Sequence, residues 1–546
     1  MRSRTIALTV PLLIALAACD DGHDTAKPTP TVAATATSTL TPVPEPTATP
    51  AATRTATETP MPTRTPPPAA SATETPTAGP TATPVLTIHD ELLVSADDMM
   101  AWIETVVEQG IRRPGYPADE WAEQWIAEQF TAFGLENVEL DPVEVKRWVP
   151  QQTSLTVWPD SAPQDALSIP CFALPYSAPG PAREGALTLF TGDDAAGKIA
   201  VVENPPLYLP QTVARVFSSR EYDPDGEFNS LVQVLPFSPA FQNVMGPAIA
   251  GGAVGFVGIA QFPFDTRDYY VPYDAVDRPI PGVWISASDG ERLKQLLGAG
   301  PVSGRITVEA AVDRVTSHNV IGRLPGASDE WIIIGSHHDG PWASAVEDGS
   351  GIAMVLAQAR YWSRVPRHER PHNLLFLLNA GHVAGGAGLV AFVSRNAEWL
   401  ASVVLELHLE HAAREARAEG GRLIPTDNPE VRWWFTSRIG LLEDAVEQAL
   451  RAEDLRRSFI MQPDGFPPGS LAPPTDGAFF HPAGVPIVNF LTAPMYLFDA
   501  QDTLDKIHTP SLVPVSRAAI RIINALQGRT AAELRAAVRP PSSPPP

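Results

Sequence analysis

The chain reads as an α/β protein: a mostly parallel central sheet with helices on both faces, carrying an inserted β-rich domain. Three observations predict this. Four β-favouring apolar residues in a row, Trp331-Ile332-Ile333-Ile334, stop at Gly335-Ser336, as a strand buried on both faces does. From residue 316 onward such strands alternate with helical segments, the pattern of a parallel sheet covered on both sides. Between 160 and 312 the pattern changes to short strands separated by turns, which sets that stretch apart.

The chain begins with a targeting segment over 1–19. Arg2 and Arg4 form a basic start, 6–15 is apolar, and Leu16-Ala17-Ala18-Cys19 closes it. The small residues before Cys19 resemble the bacterial lipobox. That resemblance implies a diacylated Cys19 and an extracytoplasmic protein held to the bacterial cell membrane by lipid. The apolar run is too short for a comfortable transmembrane helix. Residues 20–86 are Thr, Pro, Ala and Ser with scattered charges, and hold many of the chain's 58 prolines. Such a segment cannot bury a core, so a disordered, partly polyproline stalk is expected.

An α/β domain is expected over 87–159 and 313–530. Helices are predicted at 96–109 and 118–133. In the second, Trp121, Trp125, Ile126, Phe130 and Phe133 recur at helical spacing and form a core stripe. A strand starts near Val138. Further strands fall at 319–322, 331–334, 373–378, 403–407 and 486–491, with helices at 351–362, 388–395, 439–453 and 513–526. The tail, 531–546, is expected to be disordered. Net charge is −23, which argues against nucleic acid as a partner. Only Cys19 and Cys171 exist. A thiolate zinc site is therefore excluded, and a lipidated Cys19 leaves no internal disulfide.

Chemistry-bearing residues gather just past the 331–334 strand: His337, His338 and Asp339, then Glu347 and Asp348 before Ser350-Gly351. Open α/β sheets place their sites at that edge, and nitrogen and oxygen donors of this kind suit a divalent metal. Downstream lie His382, His408, Glu410, His411 and Asp476. Asp348 has a simpler reading as the cap of the following helix. His338 is expected to face solvent or a domain interface, and His481 and His508 to lie on the surface.

The order of these parts resembles family 28 of the metallopeptidases. These co-catalytic zinc exopeptidases include bacterial aminopeptidases, glutamate carboxypeptidase II and the catalytically silent transferrin receptor ectodomain. The resemblance runs from about 90 to 528. Within it, 160–312 resembles a protease-associated domain, through GKIAVVE, then GGAVGFVG, then IPGVWIS and DGERL. The family resemblance implies His337 as a metal ligand, with Asp339 behind it as the carboxylate that orients it. Glu347 takes the bridging-carboxylate position beside Asp348, and Glu410 the later carboxylate. Asp476 keeps its place in Thr475-Asp476-Gly477. His382 falls at the general-base position. Val383 and Phe498 stand where two ligands are expected, and neither can coordinate a metal. A rebuilt site is then implied, with one or two zinc ions on His337, Glu347 and either Glu410 or His411, and His382 or Glu347 as the base. Two readings follow. One is a metal-dependent exopeptidase acting on peptide or protein substrates through metal-activated water. The other is an inactive pseudopeptidase that binds a peptide or protein.

Overall fold

The computed structural model describes residues 86–192, 195–237, 245–467 and 470–540. The targeting segment with Cys19, and the stalk to residue 85, lie outside the described residues. Among those described, no helix is long and apolar enough to cross a membrane.

The central sheet follows the order Val302–Leu324, Asn373–Asn379, Trp331–His337, Val403–Leu409, Ile487–Thr492, Arg432–Thr436, Ser458–Met461 and Ser218–Tyr222. Trp331–His337 runs parallel to both neighbours, and Val403–Leu409 runs parallel to Ile487–Thr492. The flanking Val302–Leu324 strand is antiparallel. The apolar run is continuous because both faces are covered. Ile332 and Ile334 join the core beneath the helices Ala96–Val107, Gly351–Arg364 and Thr509–Asn524, while Ile333 packs on the other face with Leu389 and Phe392. This is the α/β architecture expected from the chain's alternation of strands and helices.

Two long strands, Glu136–Pro159 and Val302–Leu324, pair antiparallel along most of their length. The second runs unbroken across 312–313. Together they join the central sheet to a second parallel set, Ile199–Asn204, Gly255–Ala260 and Gly282–Ser286. These are the three segments whose sequence marked the insert. One strand from within 160–312, Ser218–Tyr222, leaves that set and closes the far edge of the central sheet against Ser458–Met461. Phe228 and Leu235 pack there against Trp433 and Phe459.

The expectation of a disordered tail from 531 fails for its first turns. Ala531–Ala536 is a helix, begun by a reciprocal cap in which Thr530 accepts from the Glu533 amide and Glu533 accepts from the Thr530 amide. Leu534 is buried, which ties this helix to the core.

Candidate metal centre

His337 is the last residue of its strand and is fully buried. Its Nδ1 donates to the Asp339 carbonyl at 2.9 Å. That bond fixes the tautomer and leaves the Nε2 lone pair free. The Asp339 carboxylate does a different job from the one expected of it. It lies 4.0 Å from the ring and accepts instead from the amides of His382 and Val383, at 3.0 and 2.8 Å. It therefore fastens the neighbouring loop.

Glu347 sits on a loop held from two sides. Asp502 accepts from the Val346 and Glu347 amides at 2.8 and 2.9 Å. Arg112 donates to the carbonyls of His338, Ala343 and Ser344. The Glu347–Asp348 peptide is cis. Asp348 is both cap and tie: it accepts from the Gly351 amide at 3.0 Å and from the Ser336 hydroxyl. Its Oδ2 also lies 3.8 Å from His337 Nε2.

His411 follows the Val403–Leu409 strand with φ of 54°, a conformation unusual for a non-glycine residue. Its Nδ1 donates to the Thr492 carbonyl at 2.9 Å, so its Nε2 is also bare, and it lies directly against Glu347 Oε2. His382 donates from Nδ1 to Asp476 at 2.8 Å. Its ring stacks on His337 with centroids 3.9 Å apart, and its Nε2 lies 3.6 Å from Glu347 Oε1. Glu410 is held by His408 Nε2 at 2.8 Å. His408 is braced in turn by Glu406 at 3.1 Å. Asp476 also accepts from Asn379 at 2.7 Å.

Thus His337, Glu347, His382, Glu410 and His411 converge, with Asp476 behind His382. Among the described residues, donor atoms close enough to share one cation occur in His337, Glu347 and His411, and again in His337, His382 and Glu410. The fit to a cation rests on leftover atoms. His337 Nε2, both Glu347 carboxylate oxygens and His411 Nε2 are buried without hydrogen-bond partners. Buried polar atoms are ordinarily satisfied. Donor atoms of His337, Glu347 and His411 gathered within reach of one cation are what a nitrogen- and oxygen-binding metal would use.

Electrostatics point the same way. Burial drives His337 well below its usual pKa, aided by the nearby His382 and His411. Burial would also lower His411, but Glu347 outweighs it and raises the group to about 10. For Asp476, burial acts upward, yet His382 and His408 hold it well below the ordinary carboxylate range. The cluster collects positive charge, as a proton on His411 or as a cation shared by the same atoms.

The donors open onto a cleft of about 530 Å³, whose lining includes Phe237, Tyr273, Trp433, Phe479, Leu497 and Phe498. Val383 and Phe498 do not plug the centre. Val383 packs in the apolar cluster of Trp148, Tyr176 and Ile306. Phe498 packs against Tyr273 on the cleft wall, with ring centroids 5.1 Å apart and the rings tilted.

Other expectations are corrected. His338 does not face solvent: it is fully buried, bonded to Asp119 at 2.8 Å and to the His318 carbonyl at 3.0 Å. His508 is buried too, with Nδ1 2.6 Å from the Ser511 hydroxyl. The spacing of the sequence offered no role for Arg112, Asp119 or Thr492, since each acts on a residue far away in the chain. Asp502 carried a faint signal as the Asp of Gln501-Asp502-Thr503.

Residues 319–523 match the family model of Peptidase family M28. A 91-residue stretch is 34% identical to the probable leucine aminopeptidase 2 of Aspergillus fumigatus, covering 16% of this chain and 17% of that protein. A 118-residue stretch is 32% identical to the probable leucine aminopeptidase 2 of Aspergillus oryzae, covering 20% and 21%. The chain thus spans only 17% and 21% of the length of these curated relatives. Solved structures with a similar fold include an aminopeptidase from Aneurinibacillus sp. strain AM-1, at 20% identity and a TM-score of 0.52, covering 83% of this chain and 96% of that one. The Peptidase M28 precursor from Shewanella amazonensis SB2B gives 18% and 0.56, covering 83% and 100%. A zinc aminopeptidase from Bacillus subtilis gives 17% and 0.56, covering 82% and 98%.

Proposed function

We propose that this chain, which carries a Peptidase M28 segment over residues 319–523, is a metal-dependent peptidase that removes residues from the end of a peptide. The observation that carries the reading is the set of orphaned buried donors on His337, Glu347 and His411 beside an apolar cleft. Those residues would hold a divalent cation, with Glu410 next to them, and zinc suits such imidazole and carboxylate donors. When bound, the cation supplies positive charge that polarises a peptide carbonyl and makes water more acidic. His382 is placed to take the proton: Asp476 holds its Nδ1 hydrogen, and in the neutral ring Nε2 is the acceptor at the cleft. Asp476 also stabilises the imidazolium that results. Aromatic side chains on the wall exclude water and take an apolar substrate side chain.

An exopeptidase is favoured over an endopeptidase by the aminopeptidase names of the relatives. The stretch 160–312, as a protease-associated domain, would shape access to the cleft, which Phe237 and Tyr273 help to line. A lipid on Cys19 and a stalk over 20–86 would place the enzyme outside the cytoplasm on the cell membrane. A binding module without catalysis is the second reading, supported by the direct His411–Glu347 contact, which satisfies both groups as an ion pair if no cation enters. Hydrolysis of aminoacyl anilides by the full chain, lost on chelation and restored by zinc, is the expected result. A zinc-loaded protein that cleaves neither anilides nor peptides would leave only the binding module.

A further inference from the structure

Both donor groups that face the cleft contain His337. Its Nδ1 is committed to the Asp339 carbonyl, so the residue offers one lone pair, and one lone pair serves one cation. His411 is fixed in the same way by the Thr492 carbonyl. In both cases the acceptor is a carbonyl oxygen, which cannot donate, so Nδ1 carries the hydrogen and, in the neutral ring, Nε2 is the atom left to bind. Every orphaned atom in the cluster belongs to His337, Glu347 or His411. Among the described residues, His382 and Glu410 come together at the cleft in a donor group that again needs His337. Glu410 Oε1 is bonded to His408, and His382 is turned by Asp476 and partly exposed at the cleft. No further donor comes from Val383 or Phe498, whose side chains pack among apolar groups. The other two donor groups among the described residues are closed. Asp119 and Glu123 with His338 satisfy one another and nearby backbone, and so do His408, Glu410 and Asp476.

We infer that the cleft takes a single divalent cation, on His337, Glu347 and His411, and that His382 stays off it as the proton acceptor. This rests on the metal-dependent reading above and sets its stoichiometry and division of labour. Removing a group that only transfers protons lowers rate by about 10²–10⁴-fold without removing the metal.

Titration of the full-length apo-protein with Co(II), followed by its visible absorption and by elemental analysis, tests this. One cobalt per chain is expected, with the absorption rising to a break at one equivalent. In His382→Ala the same single equivalent and the same spectrum are expected, while anilide hydrolysis falls at least about 100-fold. In His411→Ala the cobalt spectrum is lost. Two equivalents in the wild type, or loss of the cobalt spectrum in His382→Ala, would overturn the single-cation assignment and leave the peptidase reading intact. No bound cobalt in the folded wild type would instead overturn the metal-dependent reading itself.

Discussion

His337 and His338 are adjacent, equally buried and both surrounded by carboxylates, yet the structure uses them in opposite ways. Alternation along an extended chain sends their side chains to opposite sides. His338 finds a closed network. Asp119 takes its Nδ1, the His318 carbonyl faces its Nε2, and Glu123 binds Ser317 and His318 behind them. His337 finds an open one, in which a single nitrogen is satisfied and the other faces the Glu347 carboxylate and His411 Nε2, atoms without hydrogen-bond partners. The presence of imidazoles and acids does not separate a site from a structural knot. Lone pairs left over after the backbone has been served do.

That contrast can be broken by exchange of roles. The largest effect is expected from His337→Ala, which should weaken cation binding by at least about 100-fold, since disturbing groups merely behind a metal ligand already costs 10–100-fold. Cobalt titration would read it, and unchanged binding would put His337 on the structural side. His338→Ala should instead unfold the protein more easily by about 3–5 kcal/mol, because Asp119 would stay buried without its partner. Chemical denaturation of the metal-free protein measures this, and a cation count that drops along with stability would blur the distinction.

A pH titration sharpens it. Burial would lower His338, but Asp119 outweighs it and raises the group to about 9. Its folded pKa therefore exceeds the ordinary imidazole value near 6.5. The stabilisation is fully present below about pH 6.5 and is lost as pH rises through about 9. On the order of 3 kcal/mol should disappear across that window, and the slope should vanish in His338→Gln. The smallest effect belongs to Asp502→Asn, which exchanges one acceptor for a donor beneath the Glu347 backbone. Cation affinity should fall about 10-fold, at the low end for groups that orient a ligand, with little change in unfolding.

Much of this was visible from residues alone where the signal is local. The Trp331 run gave its strand and the direction of the site-bearing edge, and the spacing of Ile126 and Phe130 gave a core helix. Glu347 and His337 were marked by their place after that strand. A disordered tail from 531 misses the helix that Thr530 and Glu533 cap, because six residues are too few to show a hydrophobic period. His508 was misread because burial by a distant hairpin carbonyl, that of Asp427, leaves no trace in neighbouring residues.

By itself, then, the sequence determined which strands and helices exist and which residue types gather at one sheet edge, because hydrophobic periodicity and turn chemistry act over a few residues. Only the tertiary structure decided which lone pairs remain free. Thr492 turns His411, Asp476 turns His382, and Asp502 and Arg112 hold the loop of Glu347. Each of these partners lies between 81 and 226 positions away for its closest bond to the group it orients. A hydrogen bond depends on distance in space, and the fold alone sets that distance.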